Sequence, residues 1–330
     1  MFFSIIIPTY NPRAYLPNLL TCISRNNCID DIEIIISDDC SEESFEDILE
    51  SFKSLHIKTI VNDHHSGFPR DGRQNGADIA TGEWICFADQ DDGFVDNAFD
   101  KIKAYIEKEQ IRNYLATDFI KHAEGTDYYE VCDGCKGWTH GKFYEKSFWD
   151  KHNLGYDDVK YCEDINLSTK TGCVLIAENL PMNTCKDIYV YIWNRRSDSL
   201  SEGDYFCQSM PEYIRGTIGV ITDYIEKYRY NEDMLNQYIV KFIQTIYHIY
   251  FYAQNDRIQS SRNTILKIEE TLYPIYQRFL EATGLTTDEI ISKTNTDFIG
   301  IYSQTRFDDC QQAPFIEKMT FSDWMHIYLG

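Results

Sequence analysis

Apolar and polar positions along the first third of the chain come in blocks that switch period. Residues 3–8 (FSIIIP) and 32–37 (IEIIIS) are continuous apolar runs, which predicts strands covered on both faces. Between them, Leu16, Leu19, Leu20 and Ile23 recur at helical spacing inside AYLPNLLTCISRN. FEDILESF (45–52) predicts a second helix and IKTIV (57–61) a third strand. RQNGADIA (73–80) predicts a helix, WICFAD (84–89) a fourth strand, VDNAFDKIKAYIEKE (95–109) an amphipathic helix and YLATDF (114–119) a fifth strand. This alternation is the pattern of an α/β domain built on a mostly parallel sheet. The stretch 125–200 is less regular. It holds WTHGKFYEKSFW, YCEDINLSTKTG and two strand-like runs, CVLIAE (173–178) and IYVYIW (188–193). Three long helical segments rich in Tyr and Ile follow, at 210–228, 231–252 and 261–284. A boundary is expected at SLSEGD, giving an α/β domain over 1–203 and a helical region over 204–330.

Composition narrows the classes. Of the 330 residues, 43% are hydrophobic, enough for a large core. The formal net charge of −22 argues against nucleic acid as a partner and against a polybasic membrane anchor, because both need clustered Lys and Arg. No apolar run reaches the roughly 20 residues that span a bilayer. The apolar core of MFFSIIIPTY is too short for a signal peptide and lacks a basic flank, so it reads as a buried strand and the expected setting is cytosolic. The 11 cysteines are scattered, as suits small core residues in a reducing compartment. Cys132 and Cys135 form a CxxC, but Cys162, Cys173 and Cys185 supply no second pair at that spacing, so a structural zinc is not expected.

In an open parallel sheet, ligands bind beyond the carboxyl ends of the strands. Unusual residues stand at those ends: Pro8-Thr9-Tyr10-Asn11, Ser37-Asp38-Asp39 and Asp89-Gln90-Asp91-Asp92. Arg70 and Arg73 sit in HHSGFPRDGRQNG nearby. Carboxylates that hold a divalent cation, with arginines beside them, suit a diphosphate. No GxGxxG follows the first strand and no P-loop motif occurs.

Taken as a set, SIIIPTYNPRAYLPNLLTCI, IEIIISDDCSEE, RQNGADIATGEWICFADQDD, GKFYEKSF, CEDINL and YIWNRRSDSLS resemble a family 2 glycosyltransferase of the GT-A, Rossmann-like fold. The resemblance covers the first ~200 residues and leaves the C-terminal helices outside it. It implies inverting transfer of a sugar from a nucleotide-sugar, a UDP-sugar by preference, to a hydroxyl of a glycan or glycolipid acceptor in surface-polysaccharide synthesis. It further implies roles for residues. Pro8, Thr9 and Tyr10 line the nucleotide pocket, Asp39 accepts a hydrogen bond from the base, and Arg73 helps hold the nucleotide. Gln74 stands where the family usually has Asn. Asp89 faces the ribose, Asp91 binds Mn²⁺ or Mg²⁺, and Asp92 supports the turn. Asp164 is the general base, with Glu163 beside it toward the acceptor. Arg196 and Ser199 reach the diphosphate. Trp138 and His140 are candidates for sugar, phosphate or metal contacts. The bland readings are a solvated acidic turn at Asp89–Asp92 and carboxylates that complement a helix dipole at Glu163–Asp164. Rival functions are a nucleotidyltransferase of similar sheet, which usually carries a Gly-rich basic loop after the first strand, and an inactive nucleotide-sugar- or glycan-binding protein. The helical region is expected to serve acceptor recognition, homo-oligomerisation or peripheral docking at the inner membrane face.

Overall fold

The computed structural model describes residues 1–134, 137–160, 162–186, 188–196, 205–253, 262–297 and 320–330. The chain divides into two compact units, Met1–Ser168 with Pro181–Ser199, and Thr169–Leu180 with Leu200–Gly330.

In the first unit, strands and helices alternate as β1 (Phe3–Thr9), α1 (Leu16–Ser24), β2 (Ile32–Asp38), α2 (Glu46–Ser51), β3 (His56–Val61), α3 (Pro69–Ile79), β4 (Trp84–Phe87), β5 (Gly93–Phe94) and α4 (Ala98–Glu109). Next come β6 (Tyr114–Thr117), β7 (Phe119–Ala123), β8 (Tyr129–Cys132), β9 (Lys142–Glu145), α5 (Lys146–Lys151), the start of α6 (Glu163–Ala177), β10 (Asn183–Cys185) and β11 (Tyr191–Arg195). Seven strands form one sheet in the order β10-β6-β9-β4-β1-β2-β3. Within it β9 runs antiparallel to both its neighbours, and the other pairings are parallel. A second sheet, β5-β11-β7-β8, carries the irregular middle of the chain.

The central strands behave as their apolar runs demand. Every residue of β1 and β2 is buried, and Leu16, Leu19, Leu20 and Ile23 of α1 pack on them. The parallel ladder sets Thr9 opposite Asp38 and Ile6 opposite Phe87, so the carboxyl ends of β1, β2 and β4 share one edge. Helix α3 lies close on β1. A Cβ at Gly76 would come 2.4 Å from Ile6 Cγ2, so only glycine permits that approach.

One carboxylate is buried at the opposite, amino-terminal end of β2. Glu33 accepts from Ser4 Oγ (2.5 Å), Lys58 Nζ (2.6 Å), Thr81 N (2.5 Å) and Gly82 N (3.1 Å). Burial opposes its charge, but these donors outweigh that and hold its pKa at about 2.

The run CVLIAE, expected as a strand, is helical: it falls at the end of α6. Residues 171–175 are all buried, so α6 shows no polar stripe there, and an apolar run without periodicity does not distinguish strand from helix. The second strand-like run, IYVYIW, does contribute β11.

The second unit is helical. It comprises the end of α6, α7 (Tyr205–Ile214), a π-helical turn (Arg215–Gly219), α8 (Val220–Tyr228), α9 (Glu232–Ala253), α10 (Arg262–Thr283), α11 (Thr287–Asp297) and α12 (Phe321–Tyr328). Its core includes Ile218, Ile221, Ile225, Tyr238, Phe242, Leu272 and Phe279. The Phe242 and Phe279 rings stack at 3.6 Å. Tyr238 Oη donates to the Cys173 carbonyl (2.9 Å), which fixes the end of α6 within this unit. Arg278 pairs with Asp223 (2.6 Å) and Glu226 (2.7 Å). The Tyr and Ile stripes therefore face inward at these positions. No helix of the described residues is long and apolar enough to cross a membrane.

Candidate functional site

The strand ends are held in non-standard backbone. Asn11, Cys40 and Cys162 have φ of 46°, 62° and 60°, and they follow Tyr10, follow Asp39 and precede Glu163. Left-handed conformations at non-glycine residues cost energy, and at Cys40 the strained turn is tied down by a bond from its Sγ to the Asn62 carbonyl (3.2 Å).

The Asp39 end is crowded with donors. Its carboxylate accepts from Asn62 Nδ2 (2.8 Å), Ser66 N (3.0 Å), Ser66 Oγ (3.1 Å) and Gly67 N (2.9 Å). His65 Nδ1 lies 2.9 Å from Oδ2, and the His65 ring stacks on Tyr10 at 4.3 Å. Burial opposes the Asp39 charge, but the donors prevail and its pKa is lowered. Thr9 and Pro8 are buried beside it.

The DQDD turn is tied into both sheets. Gln90 Oε1 accepts from Tyr10 N (2.9 Å) and Gln90 Nε2 donates to the Tyr10 carbonyl (3.0 Å), joining the β1 and β4 ends. Asp92 is buried. It accepts from Tyr191 Oη (2.5 Å) and Asn194 N (2.8 Å), and burial with Asp89 and Asp91 nearby raises its pKa well above normal. Asp91 is more open and pairs with Arg196 Nη2 at 2.9 Å. Burial and the Asp89 charge push its pKa up as well. Arg196 also bonds Tyr15 Oη and lies 4.5 Å above the Tyr15 ring.

His140 stacks against Tyr191 (5.0 Å) and Trp193 (5.3 Å), with Trp138 at its edge (6.0 Å). Burial lowers its pKa to about 3, so the imidazole is neutral. Its Nε2 lies 3.9 Å from Asp92 Oδ2, and its Nδ1 has no hydrogen-bond partner. Asp89, Asp92 and His140 offer three ligand atoms within 4.8 Å of one another. Carboxylate oxygens with a neutral imidazole suit Mn²⁺ better than Mg²⁺, which favours oxygen ligands alone.

Arg73 joins the two carboxylate turns. It is buried, and it bonds Asp89 Oδ1 through Nη2 and Glu163 Oε1 through Nη1, both at 2.5 Å. Burial disfavours its charge, but the two carboxylates more than restore it. Burial lifts Glu163 to about 7, and it raises Asp164 too. Asp164 is partly exposed in the first turn of α6, where its Oδ1 accepts from Ile165 N (2.7 Å).

Of the residues expected at the site, Arg73 contacts Asp89 and Glu163, Asp91 contacts Arg196, and Asp92 is held by Tyr191 and Asn194. Trp138 and His140 belong to the aromatic cluster behind Asp92. Ser199 lies outside the described residues. Arg70 is spent on Asp158 (2.7 Å) and Asp71 (3.0 Å). Sequence reading passed over Lys142, Tyr191 and Asn194. Lys142 is buried in β9 and donates to the Gly134 and Trp138 carbonyls. A lysine in the short run KFY was the available signal. Tyr191 and Asn194 stand three positions apart in IYVYIWN, and nothing local marks them as partners of Asp92.

These residues gather where the carboxyl ends of β1, β2 and β4 meet the second sheet, and the chain can be set beside known proteins at this point. Residues 4–160, just under half of the chain, match the model of Glycosyl transferase family 2. An uncharacterized glycosyltransferase of Haemophilus influenzae is 33% identical over 112 residues, 34% of this chain and 37% of that protein. The GalNAc(5)-diNAcBac-PP-undecaprenol beta-1,3-glucosyltransferase of Campylobacter jejuni is 32% identical over 97 residues, 29% and 31% of the two chains. The matched stretch thus spans only about a third of each relative. The crystal structure of S. aureus TarS 1-349 in complex with UDP-GlcNAc superposes with a TM-score of 0.67 at 16% identity, covering 97% of this chain and 100% of that one. That likeness establishes the GT-A fold, including a C-terminal helical region.

Proposed function

We propose that this protein is a metal-dependent, inverting glycosyltransferase. It moves a sugar from a nucleotide-sugar, a UDP-sugar by preference, to a hydroxyl of a glycan or glycolipid acceptor. The observation that carries this reading is the buried Arg73 bridge, which sets the Asp89–Asp92 turn against the Glu163–Asp164 turn. Donor chemistry needs the first turn and inverting attack needs a base at the second. The orphaned polar atoms Arg73 Nε, His140 Nδ1 and Tyr156 Oη lie on residues around this bridge, as expected of a site completed by a polar ligand. The relatives' names and the UDP-GlcNAc complex of the TarS fragment support the donor class.

In this reading Tyr10 and the Asp39 loop receive the base. Asp164 takes the proton from the acceptor hydroxyl as that oxygen bonds to the anomeric carbon. The bond from that carbon to the diphosphate oxygen breaks, and the nucleoside diphosphate leaves with the electron pair. Asp91 would hold the cation, and Arg196, paired with Asp91 at 2.9 Å, would turn to the diphosphate. A bound Mn²⁺ or Mg²⁺ supplies charge neutralisation for the leaving group. The cytosol is the setting that fits such a donor, and the C-terminal helices are assigned to acceptor recognition, self-association or membrane docking.

Calorimetry with UDP tests the metal role. Binding is expected with Mn²⁺, weakened by EDTA and by Asp91→Asn. Equal affinity with and without metal would remove the cation from the mechanism. If His140→Gln abolished the metal effect while Asp91→Asn kept it, the ion would belong to the buried Asp89–Asp92–His140 cluster instead.

A further inference from the structure

The segment that leads into the Glu163–Asp164 turn is pinned at a second point, one residue along α3 from Arg73. Gln74 Oε1 accepts from the backbone N–H of Tyr156 at 2.9 Å, while its Nε2 donates to Asp78 at 2.7 Å. Room for that bond depends on Gly155: a Cβ there would sit 2.8 Å from Gln74 Oε1. The bond also fixes what Tyr156 does. Its ring is buried against Phe87 (5.2 Å) and lies 5.9 Å from the Arg73 guanidinium, whose other sides meet Asp89 and Glu163. An Asn at position 74 is one methylene shorter and cannot reach Tyr156 N from the same backbone. Neighbouring residues of α3 therefore hold the segment twice, by its backbone at Tyr156 and by its carboxylate at Glu163.

We propose that Gln74 is a positioning residue for the transfer reaction: with Gly155 it clips the approach to α6 onto α3 and so sets the base turn against Asp89. Gln74 touches neither donor nor acceptor and acts through Tyr156 and Arg73. The proposal rests on the functional reading above.

The test compares Gln74→Met, of similar length but without the acceptor oxygen, with Gln74→Glu/Asp78→Asn, which keeps an oxygen in reach and removes the repulsion from Asp78. Amide exchange is measured on the ligand-free proteins, with calorimetry of UDP and Mn²⁺ and turnover of UDP-GlcNAc read as released UDP. In Gln74→Met, exchange at Gly155–Tyr156 and at Glu163–Leu167 is expected to rise about fivefold, the scale of one lost hydrogen bond. UDP affinity stays unchanged and kcat falls about tenfold, the scale of a misplaced catalytic group. Gln74→Glu/Asp78→Asn restores both. Unchanged exchange at Glu163–Leu167 in Gln74→Met overturns the proposal, and so does a loss of UDP affinity that matches the loss in kcat. The exchange arm needs no turnover. A wild-type chain that released no UDP from any nucleotide-sugar would overturn the functional reading alone, and exchange would still decide the clip.

Discussion

Asp164→Asn is expected to keep UDP affinity and to lower sugar transfer by about 10²- to 10⁴-fold, the range a general base contributes. Asn has the same shape, and its amide oxygen can still accept from Ile165 N, so the first turn of α6 keeps its geometry. What is lost is the ability to take a proton. Burial raises the Asp164 pKa, which makes the carboxylate a stronger base than a free aspartate. The sign of the pH effect follows. The base works deprotonated, so wild-type turnover rises as pH climbs through that raised pKa, and Asp164→Asn loses this limb. The measurement is kcat against pH, with UDP calorimetry as the control for the donor site. Turnover within a few-fold of wild type would transfer the base role away from Asp164, and a parallel loss of UDP binding would make Asp164 a donor-site residue.

The parallel strands were legible because burial on both faces writes itself as an unbroken apolar run, as in IIIP and IEIII. The site was legible as far as it follows from topology. Once β1, β2 and β4 are parallel neighbours, Tyr10, Asp39 and Asp89 must share an edge. Strand β9 was not marked. It has four residues, and its partners β4 and β6 are distant in sequence, so no local period identifies it. Arg73 shows a different limit. Sequence resemblance assigns it to the nucleotide, whereas the fold spends its guanidinium on Asp89 and Glu163, which lie 16 and 90 positions away. Asp39 is similar: its acceptor capacity is taken up by the loop that carries Asn62, Ser66 and Gly67, so a base reaches it only as that loop and His65 yield. Residue type marked each of these positions as polar and a candidate, but the partner was set by folding.

The same contrast separates the carboxylates of β2 and predicts the largest change in stability. Glu33 is the second residue of the strand and Asp38 its last, with Asp39 just beyond, so Glu33 lies at the end away from the candidate site. Its burial is compensated entirely from within the protein, by Ser4, Lys58, Thr81 and Gly82. Glu33→Gln replaces one acceptor oxygen by an NH₂ that faces existing donors and leaves some of them unpaired. The expected cost is about 1–3 kcal/mol, the scale of a buried donor left without its acceptor. Lys58→Met should cost no more than about 1 kcal/mol, because Lys58 is half exposed and the other donors still satisfy Glu33. Linkage gives the pH window. The folded pKa is depressed from 4.5 to about 2, so this stabilisation is complete above the unfolded value and fades as pH falls toward the folded one. Urea midpoints of the wild type should therefore drop between about pH 6 and pH 3 by more than those of Glu33→Gln. UDP affinity of the folded variant should match wild type, since nothing at the carboxyl end of the sheet has changed. A Glu33→Gln protein as stable as wild type at neutral pH would mean that the donors around position 33 reach water, and that this carboxylate does not anchor the strand.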